Sequence, residues 1–102
     1  DAHVMSVEAL VEYQTGGIVS RQVVKKATGN VTAFAFDAGQ ELTEHTSPFD
    51  ALVEVVDGHA EIGLAGQAHR LRAGEMILLP ANIPHAVKAV SRFKMILTMI
   101  RS

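Results

Sequence analysis

The chain contains no cysteine, which excludes a disulfide framework and a thiol nucleophile and accords with a reducing cytoplasm as the expected location. It also lacks long hydrophobic runs. The apolar runs, such as Met76-Ile77-Leu78-Leu79 and Met95-Ile96-Leu97, fall far below the roughly 20 residues of a membrane-spanning helix, so no membrane partner is expected. Charge of one sign is not concentrated: nine Lys and Arg are interspersed with eleven Asp and Glu, for a net charge of −2. That argues against a nucleic-acid surface, which needs clustered cations. The densest basic group, Arg21, Lys25 and Lys26, falls in a strand-like stretch and reads as a solvated strand face. No phosphate-binding loop, nucleophile elbow or zinc-finger spacing is present, so enzyme classes built on those devices are set aside. The chain opens on Asp1 with no apolar leader segment, and His3 is given no functional weight.

What remains is small and apolar. A chain of 102 residues has room for one compact core, so residues 1–102 are expected to form a single domain, with 1–15 a segment of undecided structure. The hydrophobic fraction is 48% and the mean hydropathy +0.20. In a domain this small, few positions are fully buried, so some of that apolar surface is expected to meet a second subunit in a homodimer.

No stretch has the periodicity of a long amphipathic helix, and alternation with turn residues at short intervals dominates after about residue 15. The class is all-β. Ser6 and Glu8 suit one helical turn, whereas Val7, Leu10 and Val11 suit an edge strand, and the sequence does not decide between them. Strands are expected at Ile18–Lys26 and Val31–Phe36, joined through Thr28-Gly29-Asn30 as a hairpin. Further strands are expected at Leu52–Val56, Glu61–Leu64, His69–Leu71, Met76–Leu79, His85–Ala89 and Lys94–Ile100. Ala65-Gly66-Gln67 and Arg72-Ala73-Gly74-Glu75 read as tight turns. Eight or more short strands in this length suggest a small sandwich or barrel. Lys94–Ile100 is largely apolar at both parities, which places it in a two-layer core or at a subunit contact.

Two glycine-headed segments carry histidines at metal-ligand spacing. The first runs from Gly39 through His45 and Pro48 to Gly58, the second from Gly74 through Pro80 and Pro84 to His85. Together they resemble the two motifs of the cupin family over roughly residues 31 to 100. The resemblance implies an RmlC-like jelly-roll β-barrel, the double-stranded β-helix, with both motifs lining one open mouth. There the family commonly holds a divalent first-row metal such as iron, manganese, nickel or zinc by three histidines and a glutamate. This chain departs from that pattern. Ser47 stands where the second histidine belongs, Ala51 where the glutamate belongs, Asn82 for a glycine and Ala89 for an asparagine.

A metal site that leaves a position open for substrate usually needs three protein ligands. His45 and His85 supply two, so the expectation is a vacant or weak site. The candidates for a third ligand are Asp50, if the bend at Pro48-Phe49 rotates it inward, and Glu41, which has the parity of His45 on a regular strand. His59 and His69 read as exposed. The expected ligand pocket comprises His45, Ser47, Phe49 and His85, with Phe49 capping its mouth, and the leading function is binding of a small apolar or anionic organic molecule. The alternative is a metal-dependent dioxygenase or isomerase using His45, His85 and a recruited carboxylate. A third reading makes His85 a metal-free general base, for which Tyr13 is the only tyrosine available as an acid.

Overall fold

The computed structural model describes residues 2–101. A single 3-10 turn at Glu8–Leu10 precedes seven strands: β1 (Ile18–Lys26), β2 (Gly29–Phe36), β3 (Glu41–His45), β4 (Asp50–Leu64), β5 (Gln67–Arg72), β6 (Met76–Leu79) and β7 (His85–Ile100). The undecided segment is thus helical for one turn and not an edge strand.

All seven strands belong to one antiparallel sheet of order β1-β2-β7-β4-β5, with β3 added on β7 and β6 on β4. That sheet folds over on itself. The first half of β4 pairs with β6 and with the second half of β7, while its second half pairs with β5 and with the first half of β7. One layer is therefore β6-β4-β7-β2-β1 and the other β5-β4-β7-β3. The result is the jelly roll that the two motifs imply.

The crossing from layer to layer occurs at register shifts between Val55 and Asp57 and between Gly58 and Ala60. An extra residue on one strand bends it and sharpens its twist, which is what a corner needs. Gly58 sits there at φ +76°, and a Cβ on it would lie 1.9 Å from the Arg92 carbonyl oxygen. Only glycine permits that approach of the two backbones. Strands expected at Leu52–Val56 and Glu61–Leu64 are thus two halves of one bent strand, as are those at His85–Ala89 and Lys94–Ile100.

Alternation along β4 and β7 sends Val53, Val55, Ile62, Val87, Phe93 and Met95 between the layers, all buried. Phe36 and Phe93 stack there with ring centroids 4.5 Å apart, a contact worth about 0.5–1.5 kcal/mol beyond area burial. A second, smaller cluster lies on the outer face, where Ala33 and Ala35 of β2 are covered by Leu10, Val11 and Tyr13. The Tyr13 hydroxyl donates to Asp57 Oδ2 at 2.5 Å, and the Arg92 guanidinium and Lys94 ammonium lie 5.3 and 4.9 Å from its ring centroid. Lys94 Nζ also donates to the Glu8 carbonyl at 2.7 Å. These contacts dock the N-terminal segment on the outer face.

Candidate functional site

The two motif loops meet at one end of the jelly roll. The Asn82 N–H donates to the Ser47 carbonyl at 2.7 Å, and the Ala81 N–H to Asp50 Oδ1 at 2.8 Å. Asn82 is left-handed at φ +67°, a conformation that asparagine tolerates in place of glycine. This lacing holds the end of β3 beside the start of β7, where His45 and His85 are direct cross-strand partners. Their rings meet edge-on, with centroids 4.4 Å apart and planes at 65°. His45 is exposed at the mouth, whereas His85 is only 8% exposed.

His45 Nδ1 lies 2.7 Å from the Thr43 carbonyl and His85 Nδ1 3.2 Å from the Ile83 carbonyl. A carbonyl oxygen only accepts, so in each ring Nδ1 carries the proton. In the neutral rings that leaves both Nε2 atoms as open acceptors, the arrangement by which a backbone carbonyl prepares a histidine to bind a ligand.

Behind the pair lies a cavity of about 30 Å³. His45, Ser47 and His85 line it with Ala51, and its apolar wall includes Leu42, Val53, Val87, Leu97 and Met99. A water needs roughly 10–15 Å³ measured this way, so the space holds about two. Ser47 Oγ accepts the Phe49 N–H at 3.2 Å, which leaves its hydroxyl proton free to donate.

The candidate third ligands do not reach this cavity. Between Leu42 and His45 the register with β7 slips by one residue, so Leu42 and His45 both face the interior. Glu41, paired with Lys88, is turned out and exposed. Parity counted along a regular strand gave the opposite face, and the bulge is the reason. Asp50 is also exposed, and its carboxylate is engaged by the Ala81 N–H. Phe49 is not among the cavity residues; its ring lies 5.9 Å from the Arg101 guanidinium. His59 is exposed, and His69, on β5, is half-buried. Tyr13 stands on the outer face with Asp57 and is not a partner for His85. Among the described residues, no three His, Cys, Asp or Glu side chains are grouped as metal ligands.

An antiparallel jelly roll with two histidines at its mouth defines a double-stranded β-helix protein of the small single-barrel kind. The sequence matches the family model described as a cupin domain over residues 33–101, and the chain belongs to the cupin family. A conserved protein of unknown function from Streptococcus pyogenes is 35% identical, with a TM-score of 0.94 over 100% of this chain and 90% of that one. A cupin 2 conserved barrel domain protein from Leptotrichia buccalis is 41% identical with a TM-score of 0.89, covering 92% of this chain and 46% of that one. A cupin superfamily protein from Desulfitobacterium hafniense shares the fold at 22% identity and a TM-score of 0.93. No curated protein matches the sequence. No helix among the described residues is long and apolar enough to cross a membrane.

Members of this family often bind metals, but the residues here do not supply the family's donor set. Ser47 and Ala51 do line the cavity, so the ligand positions converge as the family pattern implies. A methyl group and a neutral hydroxyl now occupy two of them. Neither replaces the imidazole and the carboxylate that the family pattern supplies to a divalent ion.

Proposed function

We propose that the chain binds a small organic molecule, seating one polar group of it in the cavity against His45 and His85. The observation that carries this reading is the convergence of three polar side chains, two with open acceptors and one with a free hydroxyl proton, on an otherwise apolar cavity. That combination is typical of ligand sites. A hydroxyl fits the pair in its neutral state, and a carboxylate fits once a ring is protonated. Only a group of about two waters' volume enters, and the remainder of the ligand rests at the mouth beside His45.

Titration of metal-free protein with short-chain alcohols and carboxylates, read by the ring 15N shifts of both histidines, tests this. Ligands of four to six heavy atoms are expected to saturate in the roughly 0.04–1 mM range, from efficiencies near 1 kcal/mol per atom. Absence of any saturable shift at either ring up to 50-fold higher concentration refutes the reading.

The same reading takes the molecule as a homodimer. On the outer face of the first layer the N-terminal segment packs around Ala33, Ala35 and Ile96, while Val24, Met76, Leu78 and Ile100 are 43–58% exposed. A contiguous apolar area of this kind marks an interaction surface. Light scattering is expected to give twice the mass of 10.9 kDa at micromolar concentration, and Leu78→Glu to shift it toward the single chain. A parent protein of single-chain mass throughout that range contradicts the dimer.

A further inference from the structure

The cavity also holds donors that a search for hard ligands passes over. Met99 is the direct cross-strand partner of Ala51, and both side chains line the cavity with His45 and His85. The thioether therefore stands beside the position from which the carboxylate is missing. Met95 lies on the same face of β7, deeper and 1% exposed. The available donors are thus two imidazole nitrogens, the Ser47 hydroxyl and two thioether sulfurs, of which Met99 is the one paired with Ala51; all are neutral, with no carboxylate among the lining residues.

That set has a definite preference. The cost of moving an ion from water into an apolar site rises with the square of its charge, so a divalent ion without an anionic ligand pays about four times what a monovalent one does. Thioether sulfur is soft and favours Cu(I), and imidazole suits copper as well. Space limits the choice further, because about 30 Å³ admits an ion with direct protein ligands and excludes one carrying its hydration shell. The ring geometry agrees: each Nδ1 is tied to a carbonyl, so both Nε2 lone pairs remain for coordination.

We propose that the cavity binds one cuprous ion through His45 Nε2, His85 Nε2 and the Met99 thioether. The loss of the family's carboxylate and of one imidazole then changes the metal that the pocket selects. The proposal goes beyond the binding of an organic molecule and stands or falls separately from it, since that titration uses metal-free protein.

The test is anaerobic titration of the full chain with Cu(I) supplied as its acetonitrile complex, against bicinchoninate as a competing chelator. One equivalent per chain is expected to be withheld from the chelator, and Zn(II) and Mn(II) are not expected to be retained through a desalting column. Met99→Leu, which conserves volume and leaves the thermal midpoint within a few degrees, is expected to weaken Cu(I) at least tenfold. It is also expected to remove sulfur from the copper X-ray absorption spectrum. His85→Ala is expected to abolish binding. The proposal is overturned if the chelator strips all copper from the parent, if Zn(II) is held as tightly as Cu(I), or if Met99→Leu leaves affinity and sulfur scattering unchanged. Loss of sulfur scattering in Met95→Leu but not in Met99→Leu overturns the assignment to Met99.

Discussion

Returning the two missing ligands to the cavity tests whether its four positions converge as described. In the double variant Ser47→His, Ala51→Glu, the new carboxylate replaces a side chain that is only 2% exposed, beside a cavity of about 30 Å³. Without metal, burying that polar group is expected to cost about 1–3 kcal/mol relative to the parent. With metal, all four donors meet one ion, and free Zn(II) or Mn(II) at 100 times its dissociation constant contributes about 2.7 kcal/mol to the folded state. For a domain of this length each kilocalorie moves the melting midpoint by about 4–8 °C, so addition of metal raises it by roughly 10–20 °C. Differential scanning fluorimetry with and without metal, the parent run alongside, reads both effects. A folded double variant whose midpoint does not respond to either ion refutes the convergence, and with it the assignment of Ser47 and Ala51 to the ring of ligand positions.

Four further outcomes are expected. Gly58→Ala places a Cβ against the Arg92 carbonyl and is expected to destabilise by about 3–4 kcal/mol in urea. Gly74→Ala, at φ +90° with open space around it, is expected to cost about 1–2 kcal/mol; equal losses for the two refute the close approach at Gly58. Tyr13→Phe removes the bond to Asp57, worth about 1–2 kcal/mol. Burial and the Asp57 carboxylate also hold the Tyr13 ionisation above its ordinary value of 10. The folded state therefore keeps a proton that the unfolded state releases, so this part of the stability is intact below pH 10 and falls as pH rises past it. Urea midpoints at pH 9 and 11 are expected to fall less in Tyr13→Phe than in the parent, and an identical fall contradicts the assignment. Asp37 is held down at about 2 by the Gly16 N–H and the Arg92 guanidinium, so its contribution is present above pH 4 and lost as pH drops toward 2. Asp37→Asn is expected to flatten the acid limb of the urea midpoint between those values, and an unchanged limb shows that Asp37 contributes nothing there. Phe93→Ala opens the centre of the core and is expected to cost 3–5 kcal/mol by equilibrium denaturation.

Much of the fold was legible because the strands that make it are strongly patterned. Ile18–Lys26 and Met76–Leu79 have the limits their composition suggests. The bent strands were harder, since a register shift breaks the alternation locally and resembles the end of a strand. Strand β3 gives almost no signal, as Glu41, Thr43, Glu44 and His45 are exposed and Leu42 alone is apolar and half-buried. That His45, Ser47 and Ala51 lie around one cavity with His85 is what the resemblance to the cupin motifs implies. The direction of Glu41 was not legible, because a bulge inverts parity without leaving a mark in residue type. The role of Met99 depends on its cross-strand neighbour Ala51, a pairing that joins residues far apart in the chain.

The two strands that belong to both layers have a dynamic consequence. Asp50 pairs with Ile100 and Leu64 with His85, so neither layer acquires its central strands until chain segments tens of residues apart have met. Such topology is expected to fold slowly. Once formed, the amides at the centres of β4 and β7 are expected to exchange with solvent only through global unfolding, while those of the Ser47 and Asn82 loops open locally. The mouth of the barrel is therefore free to admit an occupant on a timescale set by two short loops, against walls that do not yield.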